Sequence, residues 1–265
     1  MDSIGAIKAR FLVENIRPKY PIDLEWFSQQ PELGLDKPVK ITPCDKLPRE
    51  VIATLVPHPA LQQHYILYNP AHIIERIRFG VGHELAHLYL GHEGQAVGDD
   101  EDPVIKAEAD DFSSELLMPY FHIRAAASRL LRLNPLDLVR KLRSKKVFFT
   151  SMEACCRRLL AVGVVKGAYF LYDHKQVYYV YKSEGFHFGQ TGQTINQVLL
   201  GMYSLLRPND MDCIVYNTSY GTIYFHAKKY TSGKVFGAFV LEHDYMREHD
   251  DLVQMMLHMY PIEAG

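Results

Sequence analysis

The segment His72-Ile73-Ile74-Glu75-Arg76-Ile77-Arg78-Phe79-Gly80-Val81-Gly82-His83-Glu84-Leu85-Ala86-His87-Leu88-Tyr89-Leu90 decides the fold. Ile73, Ile77, Val81, Leu85 and Leu88 recur at steps of three and four, which predicts a helix with one buried face, ended by Gly91. Inside it, His83-Glu84-Leu85-Ala86-His87 places two imidazoles one turn apart, so both can reach a single ion. Neutral imidazole suits zinc, and a catalytic zinc keeps one position open for water. Glu84, beside the first histidine, is placed to take a proton from that water.

A third ligand has to come from a neighbouring element. After an acidic stretch from Gly94 to Asp102, a second helix opens at Pro103 and runs to Met118-Pro119. Early in it, Glu108 can complete a His-His-Glu site. Spacing leaves Glu101, Asp102, Asp110, Asp111 and Glu115 as alternatives. Asp111 could accept a hydrogen bond from a ligand histidine, although an exposed carboxylate is its plainer reading. His92 follows His87 by five residues and reads as a helix-end histidine favoured by the dipole, not as a ligand.

Working outward, Ile4 to Ile16 reads as a helix stopped near Pro18, and a short helix after Pro21 carries Leu24 and Trp26. Val39–Ile41, Val51–Val56 and Tyr65–Tyr68 are strand candidates. Residues 121 to 164 read as helical and hold ten basic against two acidic side chains, a local charge of +8 in a chain whose total is -2. Beyond Lys166 the texture turns to strands. Ala168–Tyr172 and Val177–Tyr181 form a predicted hairpin, a helix spans Thr194 to Leu206, and three strands cover Met211–Tyr216, Thr222–Ala227 and Val235–Leu241. A last helix is predicted from Tyr245 to Met259.

At 265 residues the chain exceeds the usual size of one domain, and its 48% apolar content can supply more than one core. The near-neutral total gives no global pull toward nucleic acid or an anionic membrane. Cys44, Cys155, Cys156 and Cys213 form no C-x-x-C pair and read as reduced structural thiols. No apolar run is long enough for a signal peptide or a membrane span, so a cytoplasmic location is the expectation.

Arg78-Phe79 ahead of Gly82-His83-Glu84-Leu85-Ala86-His87, then Glu108-Ala109-Asp110-Asp111-Phe112 and Leu116-Leu117-Met118-Pro119, resembles the ImmA/IrrE family of metallopeptidases. Tyr65-Ile66-Leu67-Tyr68-Asn69 looks like the edge strand before the active-site helix there, and Pro21-Ile22-Asp23-Leu24 like the family's N-terminal helix start. The resemblance covers about residues 15 to 120. Gly80 stands where the family usually has threonine, and Ala86 where glycine is common. The resemblance implies an α+β chain whose zincin domain holds Zn2+, with Mn2+ an alternative, on His83, His87 and Glu108, with Glu84 as general base.

The resemblance continues more loosely through Leu138 to Gly163, which look like a helix-turn-helix with Ser151 as N-cap of its second helix. Its order of strands and helices makes the C-terminal part similar to a GAF-like domain, an order that profilin-like and roadblock-like sheets share. The implied parts are a zincin at 1–120, a basic helix-turn-helix-like module at 121–165 and a GAF-like sensor or interaction domain at 166–265. The implied activity is zinc-dependent hydrolysis of a peptide bond, with a transcriptional repressor or similar regulatory protein as substrate. DNA contact through residues 124–158 is the less favoured partner. The alternative is a DNA-binding regulator or sensor scaffold with a structural or vestigial metal site.

Overall fold

The computed structural model describes residues 3–56, 62–92, 102–130, 133–186, 199–200, 203, 206–207, 211–218 and 221–241. The helix expected at 194–206 falls largely outside them, and the one at 245–259 wholly so. The chain is mixed α+β and divides into two compact units, Met1–Tyr120 with Arg143–Ser151, and Phe121–Leu142 with Met152–Ala264. Among the described residues no helix is long and apolar enough to cross a membrane.

The first unit begins with α1 (Ile4–Ile16), capped by the Ser3 hydroxyl and closed by Arg17 in the left-handed region. Next come α2 (Leu24–Ser28), whose first amides are capped by Asp23, and strands β1 (Val39–Pro43), β2 (Ala53–Val56) and β3 (His64–Tyr68). The strands lie in the order β1-β3-β2, with β1 parallel and β2 antiparallel to β3, so β2 is an edge. Two longer helices, α3 (Ile74–Leu90) and α4 (Pro103–Leu117), complete the fold, with Pro103 at the first helical position where its missing N–H costs nothing.

Ile77, Val81 and Leu85 bury one face of α3 in the same core as Leu12, Phe27, Ile66, Phe112 and Leu116. Ile73 departs from the expected stripe. It is the extended N-cap residue, not a helical one, and is 61% exposed. Arg78 ties this core together, donating to the carbonyls of Ile22 at 2.9 Å and Phe149 at 3.2 Å. Glu115 is fully buried but well supplied with donors, taking Arg10 through both carboxylate oxygens (3.3 and 3.2 Å) and the Tyr120 amide at 2.7 Å.

In the second unit, α5 (Tyr120–Ser128), α6 (Pro135–Leu142) and α7 (Met152–Ala161) precede β4 (Gly167–Tyr172), β5 (Val177–Lys182), β6 (Met211–Thr218), β7 (Gly221–Lys229) and β8 (Val235–Leu241). These strands form one antiparallel sheet ordered β5-β4-β8-β7-β6. Phe170, Phe225 and Phe239 pack on one of its faces with centroids 4.8 to 5.7 Å apart, while Tyr169 and Phe236 stack at 6.1 Å. Cys155 and Cys156 are buried thiols, and Cys44 is a free, partly exposed one.

The separation of α1 from α4 is set by Gly5. A Cβ there would stand 2.0 Å from the carbonyl oxygen of Glu108. That is backbone, which cannot step aside. Gly5→Ala is therefore expected to cost roughly 1–3 kcal/mol by overpacking and to displace the α4 turn that carries Glu108. Thermal unfolding checks the first effect, and zinc affinity the second. An unchanged melting temperature would contradict the packing account.

Candidate metal centre

The middle of α3 presents His83 and His87 with their Nε2 atoms 3.0 Å apart and their rings at 69°. Each ring's other nitrogen is also engaged. His83 Nδ1 lies 2.8 Å from Asp110 Oδ1 on α4, and His87 Nδ1 lies 3.1 Å from His92 Nδ1. His92 Nε2 in turn is 3.3 Å from Glu108 Oε2. The five side chains thus form one line, from a carboxylate through three imidazoles to a second carboxylate. Glu84 Oε2 accepts the Leu55 amide of edge strand β2 at 2.8 Å, which holds its carboxylate against the sheet.

His92 enters this line because of how α3 ends. Gly91 takes φ 74°, and the amides of both Gly91 and His92 return to the His87 carbonyl. In this left-handed termination the second residue past the helix folds back onto the residue whose carbonyl it caps. His92, read from the sequence as a helix-end histidine, is in this way laid against the His87 ring. The signal was legible as Leu90-Gly91-His92, since a glycine at that point predicts the fold-back.

The acids sort by what they touch. Asp110, not Asp111, meets a histidine of the pair, and Asp111 is exposed. Glu115 is committed to Arg10 and the Tyr120 amide, and Asp102 caps α4 through the Val104 amide. Glu101 lies outside the described residues. Glu108 reaches the pair through His92, and among the described residues no set of three His, Cys, Asp or Glu side chains converges as a ready metal-binding group. Gly80 and Gly82 let α3 approach its neighbours. A Cβ at Gly80 would meet Ile52 at 2.9 Å, and one at Gly82 would meet the Ser113 hydroxyl at 2.5 Å. A threonine at position 80, as in the resembling family, would need that neighbourhood rebuilt.

The pair suits a divalent cation. With His83 Nδ1–H donated to Asp110, its Nε2 carries a lone pair aimed at His87 Nε2. When His87 carries its proton on Nδ1, its Nε2 lone pair faces that of His83 and a cation between them joins both; in the other neutral tautomer His87 Nε2–H donates to His83 Nε2. Ligand nitrogens about 2.0–2.1 Å from a tetrahedral zinc stand about 3.3 Å apart, close to the separation here. Burial, then the neighbouring His83 and His92, push the His87 pKa down to about 4, so the ring is neutral near pH 7 and able to serve as a ligand.

A helix bearing two facing imidazoles and a carboxylate, laid beside a sheet whose edge strand touches that carboxylate, defines a zincin-like domain. Residues 48–160 match the Peptidase_M78 family model, described as the IrrE N-terminal-like domain. A Mycobacterium tuberculosis transcriptional regulator of known structure shares the fold, with a TM-score of 0.55 at 15% identity over 89% of this chain and 75% of that one. No curated protein matches the sequence.

The depressed His87 pKa has a signed consequence for the metal-free protein. Unfolded, His87 takes a proton near the ordinary 6.5. Folded, it resists until about 4. Its share of stability is therefore intact above pH 6.5 and falls as pH drops toward 4, by up to about 1.4 kcal/mol per pH unit. Thermal unfolding against pH should show a shallower acid limb in His87→Gln than in the wild type. Equal limbs would contradict the burial of a neutral ring.

Proposed function

We propose that the chain is a zinc-dependent peptidase in which His83, His87 and Glu108 hold the ion and Glu84 is the general base. The observation that carries the reading is the pair of Nε2 atoms 3.0 Å apart, on a helix whose Glu84 is held by the Leu55 amide. Asp110 orients His83, as carboxylates behind metal-binding histidines do. For Glu108 the support is its place on α4, the helix whose Asp110 meets His83, its approach to His92 at 3.3 Å, and the family match that spans it. Manganese remains an alternative occupant, since nitrogen and oxygen donors also accept it.

Bound zinc supplies an activated water and polarises the scissile carbonyl. The Glu84 carboxylate takes the proton of the attacking water and returns it to the departing amine. The Leu55 amide holds the oxygen not used in that transfer. Strand β2, an edge in its sheet, offers an extended peptide a backbone to align with. We assign as substrate a transcriptional repressor or similar regulatory protein, a reading supported by the IrrE-like domain. The five-stranded sheet is given the sensor or partner-binding role, as a GAF-like domain.

A DNA-binding regulator is the second reading, suggested by the basic stretch and by the name of the mycobacterial neighbour. Several of those charges serve the protein itself. Arg124 is buried and donates to the Val162 carbonyl at 2.7 Å, Arg140 pairs with Asp137, Arg143 pairs with Glu75, and Arg157 lies over the Tyr181 ring. That commitment favours the peptidase.

Glu84→Gln separates the two. It is expected to keep bound zinc while lowering kcat/KM on a cleavable repressor peptide by about 100-fold or more. Metal content and cleavage measured on the same samples decide it. A variant that retains full turnover, or a wild type that binds zinc and hydrolyses no candidate repressor, counts against the peptidase.

A further inference from the structure

We infer that His92 is a positioning residue of the metal centre, holding the His87 ring and the Glu108 carboxylate in register with each other. The inference rests on the proposed reading that His87 and Glu108 are ligands, and it goes on to say what aligns them. Neither the H-E-x-x-H spacing nor the α4 acids contain this residue, and its role comes from the line of contacts alone.

With His83 and His87 as ligands, the contacts admit one proton arrangement. For His83 and His87 to offer lone pairs at Nε2, each must carry its proton at Nδ1. His83 gives that proton to Asp110 Oδ1 at 2.8 Å. His87 must give its own to the atom facing it, His92 Nδ1 at 3.1 Å, so that atom is the acceptor. His92 then bears its proton on Nε2, the nitrogen that lies 3.3 Å from Glu108 Oε2. Reversing the direction would place a proton on His87 Nε2 and abolish the lone pair. All three rings are neutral in this arrangement, Asp110 accepts from His83, and Glu108 faces the His92 N–H. Glu108 keeps its other oxygen for the ion. One imidazole thus links a helix-borne ligand on α3 to a ligand on α4, and the αL turn at Gly91 makes the link possible.

The two faces of His92 can be removed separately. Asparagine sets an oxygen where Nδ1 stood and retains the contact to His87, whereas glutamine sets an amide nitrogen where Nε2 stood and retains the one to Glu108. Zinc alone is the probe, titrated into full-length protein against a chromophoric chelator, with the melting temperature of each metal-free variant as a control. His92→Ala is expected to bind zinc about 10–100-fold more weakly than the wild type, with His92→Asn and His92→Gln in between. Imidazole 15N NMR of the zinc-loaded wild type should find His92 unprotonated at Nδ1 and protonated at Nε2. That measurement stands even if the alanine variant does not fold.

Wild-type affinity in His92→Ala, or a proton on Nδ1 of His92, overturns the inference. If either occurs while His83→Ala loses zinc, the metal centre survives and only the role of His92 falls. A wild type that takes up no zinc removes the peptidase reading as well.

Discussion

The closeness of α4 to both α1 and α3 is the constraint on which the metal centre depends. Asp110 meets His83 on α3 and Glu108 faces His92 just past the end of that helix, so both contacts require α4 to stay docked on α3. Gly5 lets α1 lie against the backbone of Glu108, and Gly82 lets α3 settle on Ser113. The Ser113 hydroxyl then donates to the Phe79 carbonyl at 2.9 Å, tying α4 to the turn of α3 just before the first histidine. Bulk at any of these contacts would carry the acids away from the imidazoles without touching either.

Buried charge is handled differently in the scaffold and in the site. Glu115 is wholly out of solvent, and Arg10 with the Tyr120 amide satisfies both of its oxygens. Removing one partner from such an arrangement costs about 3–5 kcal/mol, because the other is left desolvated and alone. Arg78, whose pKa burial lowers, spends its donors on two carbonyls and its plane on the Phe149 ring. These residues are anchors. At the centre, by contrast, the polar atoms face one another, and two nitrogens point at the same place.

The basic stretch teaches a related point about reading charge. Ten basic side chains in one run suggest an electrostatic surface. In the fold, one guanidinium is buried, two pair with acids and another lies over an aromatic ring. Local net charge counts side chains without knowing which ones the structure has already claimed.

Many element positions were legible in the sequence. The helix at Ile4–Ile16, the opening at Pro103 and the strands at Val39, Val177 and Val235 follow from caps, prolines and period, which are local properties. So does the pairing of His83 with His87, since four residues on a helix fix their face. The fold-back at Gly91 was equally local, although its use, laying His92 on His87, depended on noticing the cap. What the sequence could not rank was the set of acids on α4. Asp110, Asp111 and Glu115 differ by a few positions of helical phase, and only the docking of α4 assigns one to His83, one to solvent and one to Arg10. Covalent spacing and backbone preference determined where the histidines stand. The distance and rotation between separate helices, set by side-chain packing far apart in the chain, decided which carboxylates meet them.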